Sequence, residues 1–306
     1  MGINAEYRYS VGIDITANHI GIVLLNLTGD IVKQERMRKK FAADIVYFED
    51  LKSMVEKFLF QIVDLESVLG IGISLPGIIY QNESVLVKSH ALSLENYSLR
   101  IIEQIMPLPV YFENDANAAM MAEDYTKYQN VLYLSLNNTL GGAICMNGNL
   151  YRGQNQKAGE FGHMILVPNG EVCYCGKRGC ADVYCAASVL TKKNEISLDE
   201  FVTRLEHKDA DTEKTWNKYL DNLAMLISNI RLAYDTDIIL GGDIGGIIPN
   251  YKMELGKKII QYNDFDKDIG YLIDCTYKML SSKLNDAPFG RLFRADFRTL
   301  QMCQSL

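Results

Sequence analysis

The sequence predicts an α/β protein of two domains, and three observations carry that prediction. Short apolar runs alternate with longer stretches of helical period, glycines stand at the ends of the apolar runs, and 306 residues at 48% hydrophobic are ample for more than one core. The first run, YRYSVGID at 7–14, pairs naturally with IGIVLLNLTGDIV at 20–32, whose turn falls at Thr28–Gly29–Asp30, so the chain opens on a hairpin. Residues 41–66 carry apolar positions at Phe41, Ile45, Leu51, Met54, Val55, Phe58 and Ile62, a helical spacing. VLGIGISLPG at 68–77 is a buried strand ending in a Pro-Gly turn. A short helix at 98–106, a strand at 108–115 and the helix-forming ANAAMMAEDY follow.

The first domain is expected to span 1–117 and the second 118–289, with about 290–306 packing back on the first. The second opens on VLYLSL, 131–136, and GGAICMNGNL, 141–150. Helical pattern runs through 197–234, and DIILGGDIGG, 237–246, is a strand running into glycines. A cleft between two such domains is the expected ligand site.

The charge balance is 31 − 38 = −7. An acidic chain does not draw DNA through its overall field, which leaves room for a separate basic module in a longer parent chain. There is no 18-residue apolar run, and the start lacks a secretory pattern. Glu6 also breaks the myristoylation pattern that Gly2 begins. A cytoplasmic location without membrane contact is expected.

Three of the seven cysteines crowd into EFGHMILVPNGEVCYCGKRGC, 160–180. His163, Cys173, Cys175 and Cys180 offer one imidazole and three thiolates, a set suited to tetrahedral Zn²⁺ with no position left open for water. A structural metal is therefore expected. The competing readings are three reduced cysteines near each other by chance, or a redox role, which the lack of a Cys-x-x-Cys pair disfavours.

That same segment resembles the signature of the ROK family of bacterial repressors, open reading frames and sugar kinases. PVYFENDANAA at 109–119, GIGISLPGII at 70–79, YSVGIDI near the start and IILGGDIGG near 240 resemble further blocks of it. The resemblance implies an actin-like (ribonuclease H-like) two-domain fold with a sugar in the cleft. It also implies sugar contacts from Asn114, Asp115, Glu160 and His163, and from Asp182, where the family usually has glutamate. Asp115 would serve as general base if the chain were a kinase. Carboxylates and amides are natural partners for sugar hydroxyls, and a metal-bound imidazole has its second nitrogen free to donate. Each residue has a plainer reading: Asn114–Asp115 as a helix N-cap, Glu160 as a solvated acid, Asp182 as a cap for the next helix. Glu123 and Asp124 read as a solvated helix face. The polar stretch His90–Asn96 is a further contact region in which no single residue stands out.

The family's kinases also hold ATP phosphates on glycine turns. In GIDITANHIG, Asp14 remains but Ile15, Thr16, Ala17 and Asn18 replace the open glycine turn, with Thr16 still placed to contact a phosphate. In SLNNTLGGAI, Asn137 and Asn138 precede Thr139, leaving Gly141 and Gly142. Gly241 and Gly242 still resemble the nucleotide-side turn. Loss on the phosphate side with retention on the sugar side is the pattern of a sugar-responsive transcriptional regulator. The resemblance therefore implies an effector-binding region without enzymatic activity, touching DNA only through an N-terminal module absent from this chain, and commonly homodimeric or homotetrameric in the family. The alternative is an ATP-dependent sugar kinase requiring ATP and Mg²⁺, and a binding protein of another kind stands third.

Overall fold

The computed structural model describes residues 4–60, 62–123, 127–192 and 195–275. The chain divides into two compact units at residues 124 and 125. The C-terminal segment expected to return to the first domain lies outside the described residues.

In the first unit, β1 (Tyr9–Ile15) and β2 (His19–Asn26) form the expected hairpin, joined by β3 (Ile31–Arg38). This third strand, IVKQERMR, is charged and half exposed at the sheet edge. Such charges discourage pairing with another chain, and they also hide the alternation that would reveal a strand. Helix α1 (Ile45–Leu59) is shorter than the expected 41–66. Asp44 starts it by accepting from the Tyr47 N–H, and Phe60 leaves helical geometry at its end. Tyr47, Phe48, Leu51, Val55, Phe58 and Leu59 form its buried face, in one core with Ile13, Ile22, Leu24 and Ile73. Strand β4 (Val68–Leu75) runs parallel to β1.

A small antiparallel sheet of β5 (Ile78–Tyr80), β6 (Val85–Ser89) and β7 (Leu94–Ser98) follows. It occupies the polar region that the sequence left without structure. Then come α2 (Arg100–Ile105), β8 (Val110–Asn114), parallel to β4, and α3 (Asp115–Ala122). The main sheet order is β3-β2-β1-β4-β8.

The second unit repeats this order. Strands β9 (Val131–Leu136), β10 (Leu140–Met146) and β11 (Asn149–Leu150) form antiparallel neighbours. After the cysteine segment come α4 (Asp182–Cys185), α5 (Ser188–Lys192), α6 (Leu198–Glu206) and α7 (Ala210–Tyr234). The single helical region expected at 197–234 is thus two helices. Lys208 has a left-handed φ of 57°, and Asp209 caps α7 through the Thr212 N–H. Strand β12 (Asp237–Gly241), α8 (Gly242–Gly245), α9 (Lys252–Tyr262) and β13 (Leu272–Asp274) complete the unit. Its sheet order is β11-β10-β9-β12-β13, with β9, β12 and β13 parallel. Trp216, Tyr219, Leu223, Ile227 and Ile230 of α7 fill its core. No described helix is long and apolar enough to cross a membrane.

Candidate functional site

In open sheets of this kind, ligand-binding residues collect at the carboxyl ends of parallel strands, where the chain turns into loops and helix N-termini. The first unit follows that rule. Asp14 near the end of β1 is in register with Ser74 near the end of β4, and Asn114 ends β8. The Ser74 hydroxyl donates to the Asp14 carboxylate at 2.6 Å. Asp14 is only 6% exposed, and burial raises its pKa despite the opposing pull of Ser74 and Arg36.

Asn114 is held by three hydrogen bonds of the fold. Its Oδ1 accepts from the N–H groups of Ala116 at 2.9 Å and Asn117 at 3.1 Å, capping α3, and its Nδ2 donates to the Gly77 carbonyl at 3.0 Å. Gly77 has φ +130°, and a Cβ there would overlap the Lys88 carbonyl. Asp115 opens α3, half-buried, with its carboxylate accepting from the Ala116 N–H at 2.9 Å. Glu113 organises the same corner by accepting from Gln81 at 2.7 Å and Asn117 at 2.9 Å. Sequence reading missed Ser74, Gln81 and Glu113 because their roles come from cross-strand neighbours.

The first phosphate-type loop is a tight turn. Thr16 Oγ1 accepts from the His19 N–H at 3.0 Å, and the Thr16 N–H donates to the His19 carbonyl at 3.0 Å. A hydroxyl thus closes the turn in the loop that lacks the glycines of the family's kinases.

In the second unit, the turn between β9 and β10 and the end of β12 are stitched by Asn137. Its Oδ1 accepts from the Asp243 N–H at 2.9 Å, and its Nδ2 donates to Ser135 Oγ at 3.0 Å. Gly242 keeps φ +78°, and a Cβ there would stand 2.8 Å from Asn137 Oδ1. Gly241 ends β12 and Gly141 lies in β10, paired with Ser135, while Thr139 is half-buried in the turn itself.

Glu160 precedes a single helical turn, Phe161–His163. Its side chain reaches solvent and has no hydrogen-bond partner among the described residues, yet the surrounding protein still desolvates the carboxyl and raises its pKa. Asp182 differs. It is 4% exposed, and its carboxylate accepts from the Leu140 N–H at 2.7 Å. Burial raises its pKa and the Leu140 bond opposes that. Asp182 is the first residue of α4, and Ala181 holds the cap position.

His163, Cys173, Cys175 and Cys180 converge, with their ligating atoms all within 4.8 Å of one another. The Cys175 and Cys180 sulfurs are 3.7 Å apart, and His163 Nδ1 lies 4.0 Å from the Cys173 sulfur. A tetrahedral zinc with ordinary Zn–S bonds separates its sulfurs by about 3.8 Å, so the cluster fits that ion. Burial raises the Cys173 pKa to about 12 and also raises that of Cys180, a cost that a bound dication offsets. His163 Nε2 lies 3.5 Å from the Tyr174 hydroxyl. Gly179 at φ +81° allows the reversal before Cys180, since a Cβ there would overlap the Val167 carbonyl.

Comparison with known proteins supplies the context. The chain is 26% identical over 247 residues to the xylose repressor of Bacillus subtilis (strain 168), covering 78% of this chain and 64% of the repressor. The chain therefore spans under two thirds of that relative's length. It is 27% identical over 263 residues to an N-acetylmannosamine kinase of Vibrio cholerae, covering 82% of this chain and 88% of the kinase. Among solved structures, a Streptomyces griseus glucokinase in complex with glucose and AMPPNP matches with TM-score 0.66 at 22% identity, covering 83% of this chain and 86% of that one.

These matches correct one expectation. The chain was expected to lack enzymatic activity, yet several solved structures that share its fold are sugar kinases. The expectation rested on the glycines absent from the loops at 14–18 and 137–140, and that absence does not decide activity. The two-unit α/β architecture and the agreement of residues 10–263 with the family's sequence model lead to one conclusion: this chain is a member of the ROK family, whose fold is actin-like.

Proposed function

We propose that the chain is an ATP-dependent sugar kinase. The observation that carries this reading is the position of Asp115, which opens α3 at the carboxyl end of β8, the same end of the parallel strands at which Asp14 lies on β1. A sugar hydroxyl gives its proton to Asp115 as its oxygen attacks the γ-phosphorus of ATP. The new O–P bond forms as the bond to the β-phosphate bridge breaks, and ADP leaves. Asp14 is the candidate acid for the Mg²⁺ that accompanies ATP as substrate, with Thr16, Thr139, Gly141, Gly241 and Gly242 on the nucleotide side. Glu160, with its uncommitted carboxylate, accepts from sugar hydroxyls, and Asn114 contributes the amide hydrogen that its cap and Gly77 bonds leave over.

Cys173, Cys175, Cys180 and His163 would hold a structural zinc, which would fix the imidazole ring and leave its other nitrogen as a donor to a sugar hydroxyl. A homodimer or homotetramer in the cytoplasm accompanies this reading, and sedimentation tests the assembly.

A second reading has its own observation. The Thr16 turn is closed by its own hydroxyl, and xylose repressors stand among the relatives. Under that reading the chain is the sugar-sensing region of a transcriptional regulator, touching DNA through a module outside this sequence.

Calorimetry against hexoses, N-acetylated hexosamines and pentoses, with and without ATP, paired with a coupled assay for ADP release, separates the two. The kinase reading expects sugar-dependent ADP release, with Asp115→Asn lowering turnover by roughly 10²- to 10⁴-fold while sugar still binds. Sugar binding with no ATP turnover across the panel refutes it in favour of the regulator.

A further inference from the structure

We propose that Asp182 is a positioning residue for the nucleotide-side loop 137–139 and not a ligand for sugar; its effect on nucleotide rests on the kinase reading. Leu140, whose N–H Asp182 accepts, is the first residue of β10 and follows the loop directly. The other end of the loop is gripped from the same short segment, because the Ala187 N–H donates to the Asn137 carbonyl at 2.7 Å. The span 182–187 therefore holds loop 137–139 at both ends. A carboxylate that is 4% exposed, with one oxygen committed to a backbone amide, presents little to a hydroxyl arriving from solvent. Asp182 also stands two residues beyond Cys180, so the cysteine segment and the loop are joined through three consecutive residues and one hydrogen bond. An acid one methylene shorter than glutamate reaches inward to the amide, and the side chain that would meet a sugar becomes part of the loop's support.

The test uses the whole chain and the variants Asp182→Ala and Asp182→Asn. Hydrogen exchange of peptides covering 137–142 is read by mass spectrometry, alongside calorimetric affinity for the best-binding sugar of the panel and KM for ATP. Loss of a hydrogen bond to a charged acceptor speeds exchange at that amide by roughly 10- to 100-fold. The expected result is fast exchange in Asp182→Ala with KM for ATP raised and sugar affinity within about twofold, whereas Asp182→Asn, which keeps an acceptor oxygen, restores slow exchange and the ATP KM.

The proposal is overturned if both variants lose sugar affinity by about tenfold or more while exchange at 137–142 stays unchanged. If the parent protein turns over no ATP, the kinase reading fails alone, and the exchange and sugar arms still decide the role of Asp182. If Asp182→Ala does not fold, Asp182→Asn decides: unchanged exchange and unchanged sugar affinity support positioning, and lost sugar affinity overturns it.

Discussion

Replacing Asn114 with alanine tests whether this residue serves the fold before it serves a ligand. The substitution removes two acceptor contacts at the start of α3, at 2.9 and 3.1 Å, and one donor contact to Gly77 at 3.0 Å. Loss of an N-cap costs about 1 kcal/mol, and leaving the half-buried Gly77 carbonyl without its donor costs about 1 kcal/mol more. The sum, about 2 kcal/mol, raises the opening constant of α3 by roughly 30-fold. Hydrogen exchange of peptides covering 114–122 reads this directly. Asn114→Ser keeps a capping oxygen but loses the bond to Gly77, so about half the effect is expected, roughly fivefold. Trp216, the one tryptophan of the chain, lies in the core of the other unit, and its fluorescence serves as the control that should not move. Exchange at 114–122 within about twofold of the parent in the alanine variant refutes the capping assignment and returns Asn114 wholly to the ligand.

Three further outcomes follow from the same geometry. The purified protein should carry about one zinc per chain, and Cys180→Ser should lose it; elemental analysis finding no metal in a folded, chelator-free preparation refutes the assignment. Asp14→Asn should be more stable than the parent at neutral pH. Burial raises the folded-state pKa of Asp14 above its usual 3.8, so the parent's relative stability is fully present below that value and is lost as pH rises through the folded pKa. Urea midpoints should therefore converge near pH 3.5 and separate at pH 7.5, and the reverse trend refutes the burial argument. Gly142→Ala should destabilise the second unit by about 1–3 kcal/mol, because the new Cβ would overlap the Phe161 ring and stand 2.7 Å from the Gly159 carbonyl; an unchanged Trp216 unfolding midpoint counts against that packing.

Local motifs were legible in the sequence, and tertiary assignments were not. His163 and the three cysteines declare themselves within eighteen residues, because a metal needs particular atoms at short spacing. Helix α3 was legible from its alanines and from the asparagine before it. Strand β3 was not, because its lysine, glutamate and arginines erase the alternation of an edge strand. The inward turn of Asp182 depends on Leu140, 42 residues earlier, and the Asn137 stitch depends on Asp243, 106 residues later. No sequence window contains both ends of either bond. Counting glycines in the β9–β10 turn therefore says nothing of the bond that ties its Asn137 to Asp243.

The contact between β10 and the segment 159–162 has a consequence for how this protein can change its ligand. Backbone meets backbone there: side chains at Gly142, Gly159 and Gly162 would run into the carbonyls of Gly159, Gly142 and Leu140 respectively. Peptide groups, which vary little in size, therefore act as the gauge that sets Glu160 and His163 against the hairpin beneath them. Side chains around that pair can be exchanged for others without altering the gauge. In this chain the spacing of Glu160 and His163 from β10 is thus fixed by main chain and is indifferent to the side chains that surround them.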